Sequence, residues 1–555
     1  MQWRRLWMLS PPWLLVAGAC SSEDLGPPLP PCSTASAFAV SLAVTQYVTI
    51  DPAADSGCVA FVANGGTDTV EYLLLPMAAT GTPGVRVPFR LIGADTAGPI
   101  LLSSSELRAT PVLAPAERFH AFLREWEGRP RPAGAARAPA QARTAAPPPV
   151  VGHVRQFSVC NNLDCSSFAQ VTATAQSVGQ RLAIYVDNAA PANGLNAQDL
   201  DTLKTLFDTR LYGVDTAAFG RESDVDGNTV VIVLMTNKVN SLVTDAECVA
   251  SGFVSGFFFG ADIDPRFAGD SRFNHGEVFY TIVADPAATL SCAHSRDQVK
   301  RVIPVTFVHE FQHMISFNQH VLVRGGDGEL LWLNEGLSHF AEELGGRSFL
   351  PGDQASFSRF LRSNVFNAYS YLDSTGAHFL LPTEGFGTLA ERGSAWLFVR
   401  FLVDRFAADT TLVAQNALTR ALVATNLVGD ANVATQTGQP FAQTVSQWGL
   451  ANWVSDLPAF TTPTELKYRS WSFRTTFQSA NMQDPVNFPK PYPLVPTVGG
   501  SDSVNVTGHL PAGSGVYHRV LQLPGGGAFL VLFGDPNRRP VSPAANPRLN
   551  VIRIR

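Results

Sequence analysis

His309-Glu310-Phe311-Gln312-His313 stands inside an apolar run, Val305, Phe307, Val308, Phe311, Met314 and Ile315, which predicts a buried helix. On a helix, positions i and i+4 share a face, so the two imidazoles converge on one point while Glu310 projects beside it. That geometry suits a zinc ion, with Glu310 placed to act as a base rather than as a ligand. With 11 His and 46 Asp plus Glu in the chain, the pattern arises by chance in roughly one or two of every hundred such sequences. A third ligand therefore has to be found independently.

A catalytic zinc takes three protein ligands and keeps one position for water. The next stretch that offers one is Trp332-Leu333-Asn334-Glu335-Gly336-Leu337-Ser338-His339-Phe340-Ala341-Glu342-Glu343. Its apolar positions 333, 337, 340, 341 and 344 fall at helical spacing, which sets Glu335 and Glu342 on one stripe two turns apart. The turn-rich Arg324-Gly325-Gly326-Asp327-Gly328 predicts two antiparallel helices, an arrangement that brings Glu335 to the metal. His320, His339 and Glu342 are the rival third ligands. The pattern H-E-x-x-H-x-x-G-x-x-H is not met, because Ser316 and Gln319 occupy the glycine and third-histidine places.

The blocks VHEFQHMISF (308–317), WLNEGLSHFAEEL (332–344) and GSAWLFVRFLVDRF (393–406) resemble the gluzincins, metallopeptidases with two histidines in H-E-x-x-H and a glutamate on a following helix. A nearer likeness is to the hyicolysin-like peptidases, over about residues 151–425. The resemblance implies a zincin-like domain, zinc ligands His309, His313 and Glu335, general base Glu310 acting on a zinc-bound water, and hydrolysis of protein or peptide substrates. Gluzincins usually stabilise the oxyanion with a Tyr or His, and related sequences often carry a tyrosine just ahead of the block matching Gly393-Ser394-Ala395-Trp396. Here Ala390, Glu391 and Arg392 occupy that place, which leaves Tyr369, Tyr371, His378 and Arg392 as candidates. The chain has no Gly-x-Met-Glu-Asn segment of the aminopeptidase type, so endopeptidase action is expected. The competing reading is a surface binding or adhesion lipoprotein that kept the scaffold without useful turnover.

Outward from these blocks, 555 residues at 45% hydrophobic predict several modules. Residues 1–19 read as a signal peptide: Arg4 and Arg5, the apolar Leu6 to Val16, then Ala17-Gly18-Ala19 before Cys20. That arrangement resembles the lipobox of bacterial lipoproteins, with Cys20 as the lipidated residue. It implies a membrane anchor and a place in the cell envelope; an ordinary secretory signal is the alternative. The apolar stretch is shorter than the roughly 20 residues a spanning helix requires. Residues 20–36 follow as a tether, 37–126 as an N-terminal β-sandwich module and 127–150 as a Pro/Ala/Arg-rich linker. Residues 151–464, strand patterns first and helical patterns second, predict an α+β domain, and 465–555 a C-terminal β module. Residues 20–150 are also readable as a removable propeptide, with the linker arginines 129, 131, 137 and 143 open to trypsin-like cleavage.

Six cysteines besides Cys20 suit disulfides in an oxidising compartment, most economically Cys32 with Cys58, Cys160 with Cys165 and Cys248 with Cys292. No C-x-x-C pair supports a cysteine-ligated zinc. The net charge of −6 gives no footprint for nucleic acid. Glu277 to Val283 is either a substrate-binding edge strand or an interior one. Asp224-Val225-Asp226-Gly227-Asn228 has carboxylates at calcium-loop spacing but lacks the later ligands, which favours a hairpin turn at Asp226-Gly227 over a structural calcium ion. Phe257-Phe258-Phe259 reads as core rather than a membrane-inserting tip.

Overall fold

The computed structural model describes residues 29, 32–33, 36–54, 57–93, 114–129, 146–383, 388–501 and 504–555. The expected signal peptide, Cys20 and most of the tether and linker lie outside the described residues. Five strands precede the central domain: β1 (Phe38–Val40), β2 (Tyr47–Ile50), β3 (Cys58–Phe61), β4 (Val70–Ala78) and β5 (Arg86–Gly93). Six build its sheet: β6 (Val154–Cys160), β7 (Phe168–Val178), β8 (Leu182–Asp187), β9 (Val231–Met235), β10 (Gly256–Phe258) and β11 (Val278–Thr281). Five follow: β12 (Thr497–Gly500), β13 (Asn505–Pro511), β14 (His518–Gln522), β15 (Phe529–Gly534) and β16 (Pro547–Arg553).

The fold is mixed α and β, and its flanks correct the expected domain plan. The first and last groups of strands are not two modules but one sandwich, with sheets ordered β1-β3-β15-β5-β13 and β12-β14-β4-β16-β2. β15 fills the gap between β3 and β5, and β4 lies between β14 and β16, so neither chain end forms a complete sheet without the other. The physical reason is edge satisfaction: unpaired strands expose backbone donors and acceptors, and the partners that cover them come from the far end of the chain. Phe61, Tyr72, Leu74, Phe89, Val531, Phe533 and Val551 form the shared core. Two boundaries also shift. The helix Pro115–Gly128 packs on the central domain rather than on the sandwich, and the helix Phe473–Gln483 buries Phe473 and Phe477 against that domain's aromatic residues.

The central sheet runs β10-β11-β9-β8-β7-β6, with β11, β9 and β8 parallel and the outer pairings antiparallel. β9 and β11 are buried along their whole length, as expected for parallel strands covered on both faces. Glu277 to Val283 is therefore interior, and the edge strand on its side of the sheet is β10, which takes Phe257 and Phe258 into the core; β6 forms the other edge. The Asp226-Gly227 turn carries Gly227 at φ 70° but follows a helix, so it leads into β9 and closes no hairpin.

The motif helix spans Arg296–Phe317. Ser295 caps its first turn by accepting from the Gln298 N–H, and Asp297 sits at the positive end of its dipole. Every residue from Thr306 to Phe317 is buried, so the helix passes through the core instead of lying on it. The following helix, Leu331–Arg347, packs between it and the helix Leu389–Phe406. Gly393 lets the helix Leu389–Phe406 approach the helix Gln354–Asp373, where a Cβ would lie 2.2 Å from the Asn367 backbone, and Gly336 sets the approach of Leu331–Arg347 to Leu389–Phe406, where a Cβ would lie 2.9 Å from the Ala395 carbonyl oxygen. Buried charges brace the same interface. Glu343 accepts from Arg400 Nη1 at 2.9 Å and from Trp396 Nε1 at 3.0 Å, while Arg400 Nη2 reaches Asp404 at 3.0 Å.

Candidate metal centre

His309 and His313 project from the motif helix one turn apart, with their Nε2 atoms 3.2 Å from each other. Glu335, from the next helix, sets Oε2 3.6 Å from His309 Nε2 and Oε1 3.6 Å from His313 Nε2. The outer nitrogens are held. His309 Nδ1 donates to Glu342 Oε1 at 2.7 Å, and His313 Nδ1 donates to Asn334 Oδ1 at 2.9 Å. Both partners are acceptors there, so each Nδ1 carries the proton and each Nε2 turns a lone pair inward, which is how metal-binding histidines are usually oriented.

The inward groups fit a dication. Glu335 is buried, and neither of its carboxylate oxygens accepts a hydrogen bond. Burial alone would raise Glu335, but Arg392 and the two imidazoles overrule it and hold the carboxyl well below its usual range. Burial would likewise lower His309; the carboxylates of Glu335 and Glu342 reverse that and push the ring up to about 10. Such a concentration of acceptors around two imidazole nitrogens attracts a cation, and a metal ion competes with the proton for that place.

Two buried groups in this cluster have the spacing to hold a metal ion: His309, His313 and Glu335, and His309, His339 and Glu342. They share His309. In the second, Glu342 Oε1 is already engaged by His309 Nδ1 and lies 3.1 Å from His339 Nδ1. His320 is elsewhere, buried within the helical turn Asn318–Val323 with Nε2 3.8 Å from Glu329.

Glu310 points from the motif helix to the sheet edge, where its Oε2 accepts from the Phe258 N–H at 2.8 Å. Burial raises its carboxyl above the ordinary range, against the opposing pull of His309. Of the residues considered for charge stabilisation, Arg392 alone stands next to the cluster, with Nη1 3.8 Å from Glu335 Oε2. Tyr369 is occupied with the Lys490 backbone, accepting from its N–H at 2.7 Å. Tyr371 is buried against Trp448 and bonded to Ser514. Both lie on the helix Gln354–Asp373, with their hydroxyls engaged by these partners. His378 is tied to Glu391 at 3.0 Å.

Four residues of the helix Pro115–Gly128 reach this region although the sequence reading gave them no role. Glu117 pairs with Arg392 Nε at 2.8 Å, and His120 is buried within electrostatic reach of Arg392, Glu335 and His309. Arg124 Nη2 donates to the Phe258 carbonyl at 2.7 Å, and Glu127 accepts from the Gly260 N–H at 2.9 Å. Pro115 at the first position, followed by Phe119, Leu123 and Trp126 at helical spacing, was the available signal.

The three cysteine pairs stand at disulfide distance with Cα separations of 5.5, 4.9 and 5.8 Å, in the expected pairing, and point to an oxidising compartment. Among the described residues, no helix is long and apolar enough to cross a membrane. No family model matches the chain, and no curated protein matches it either.

Proposed function

We propose that this chain is a zinc-dependent peptidase of the gluzincin type, similar to the hyicolysin-like peptidases, lipid-anchored through Cys20 outside the cytoplasm and cutting within protein chains. The observation that carries the reading is Glu335: a buried carboxylate, free of hydrogen-bond donors on both oxygens and 3.6 Å from the inward nitrogen of each of two imidazoles. His309, His313 and Glu335 are the ligand set, and Glu342 and Asn334 orient the histidines. Zinc is the ion expected for a His, His, carboxylate set, and when bound it acidifies water and polarises a carbonyl.

The chain's own residues do the rest. Glu310, raised by burial, takes the proton of the attacking water and returns it to the departing amine. Its position beside β10 supports a substrate strand running along that sheet edge with the scissile carbonyl close to Glu310. Arg392 is the cation nearest the developing oxyanion.

Metal analysis and a casein assay test this together. The purified protein is expected to hold one zinc per chain and to lose cleavage with a chelator. Glu310→Gln is expected to keep the metal while turnover falls by about 10²–10⁴. Full cleavage by that variant refutes the assigned base. Metal uptake with no turnover in any form of the protein favours the surface-binding reading instead.

A further inference from the structure

We infer that the helix Pro115–Gly128 is an autoinhibitory segment that occupies the peptide-binding edge, an inference that rests on the peptidase reading and adds regulation to it. β10 turns alternate residues outward. Ser255 accepts from Ile282 of the neighbouring chain segment, while Phe258 directs both backbone groups away from the sheet. These outward groups are the ones a substrate strand would use. The Phe258 carbonyl is taken by Arg124, and the next outward donor, the Gly260 N–H, is taken by Glu127. The two side chains are also an ion pair at 3.2 Å, both about 1% exposed, so the helix brings its own charge balance into a dry groove.

The same helix fixes the other wall of the cleft. Glu117 holds Arg392 at 2.8 Å, which leaves the guanidinium engaged before any substrate arrives. His120 is buried within electrostatic reach of Arg392, Glu335 and His309. The space left between Glu117, Ala121, Leu331, Trp332, Glu335 and Arg392 is about 40 Å³. That is room for two or three waters and not for a peptide. With the helix docked, a substrate can neither pair with β10 nor reach the centre, so activity requires the helix to leave.

The test uses the full-length chain with recognition sequences for a site-specific protease inserted within residues 94–113 and within 130–145, so that both flanks of the helix can be cut. Cleavage of casein by the zinc-loaded protein is measured before and after cutting. Binding of fluorescein-labelled casein is followed by anisotropy in the same protein carrying Glu310→Gln. Cutting is expected to raise kcat/KM and to tighten casein binding by at least about tenfold, as for a site open less than a tenth of the time. A synthetic peptide of residues 115–128 is expected to reverse both effects. A second variant, Arg124→Met with Glu127→Gln, removes both charges together and is expected to move both readouts the same way without cutting. Tighter binding with no cleavage in any form sinks the peptidase reading but leaves the helix as the occupant of the groove. Binding unchanged or weakened by cutting overturns the inference, whatever the cleavage assay shows, because the helix would then complete the site instead of blocking it.

Discussion

Replacing Glu342 by alanine tests which of the two overlapping groups holds the ion. Glu342 Oε1 lies 2.7 Å from His309 Nδ1, and both side chains are almost wholly buried. In the proposed centre it is an orienting residue: it fixes the His309 tautomer and keeps Nε2 aimed inward. Loss of such a partner weakens metal binding by about 10–100-fold, equal to about 1.4–2.7 kcal/mol at 25 °C. Glu342→Gln keeps an acceptor for the Nδ1 proton and belongs near the lower end of that range. Glu335→Ala removes a ligand outright and is expected to cost more than either, while His339→Ala is expected to leave affinity within a few-fold of the parent, by the same reasoning. Competition titration against a fluorescent zinc chelator, at one pH, ranks all four variants. If His339→Ala or Glu342→Ala proves as damaging as Glu335→Ala, the ion sits in the other group and the proposed ligand set is wrong.

Other outcomes follow from the same contacts. Arg400→Met strips the counter-charge from Glu343 and Asp404 in a fully buried network and is expected to destabilise the protein by about 3–5 kcal/mol, read from urea midpoints. Gly336→Ala puts a methyl group 2.9 Å from the Ala395 carbonyl oxygen; it is expected to cost about 1–3 kcal/mol and to lower zinc affinity through displacement of Glu335, measured on one preparation by thermal melting and metal titration. Burial raises Glu329 to about 7, although it accepts from Gly429 and Asn432. Because this folded-state value lies above the unfolded one, the folded chain binds the extra proton. Its stabilising contribution is present below the ordinary glutamate range and is lost as pH rises through about 7. Glu329→Gln is therefore expected to flatten the fall in stability between roughly pH 4.5 and 7; an unchanged slope contradicts the assignment.

Spacing alone located His309, Glu310 and His313, because a buried helix converts i, i+4 directly into convergence. Glu335 was also legible, as a carboxylate on the next apolar helix beyond a glycine-rich turn, and the structure brings it to both imidazoles. What the sequence does not carry is long-range pairing. Alternating patterns marked most of the flanking strands but carry no record of their partners, so β3, β5 and β15 were divided between two modules although they lie side by side. For Tyr369 and Tyr371 the sequence carries no sign of the partners that occupy them, Lys490 and Trp448, which come from segments about 80 to 120 positions later. The helix Pro115–Gly128 was hidden by its neighbours in the chain: it sits just ahead of a proline- and alanine-rich stretch and was absorbed into the module before it. Its charged residues acquire meaning only against Phe258, Gly260 and Arg392, which lie more than a hundred positions away.

The shared sandwich also dictates an order of events during biogenesis. β4 pairs on one side with β14 and on the other with β16, so a segment made early must wait for nearly the whole polypeptide to emerge before its sheet can close. In the interval its apolar strands are sticky, exposed edges, and a chaperone is the natural companion for them. A truncation after residue 540 would thus delete an inner strand of a unit begun some five hundred residues earlier, and the damage would surface in strands from the opposite end of the chain.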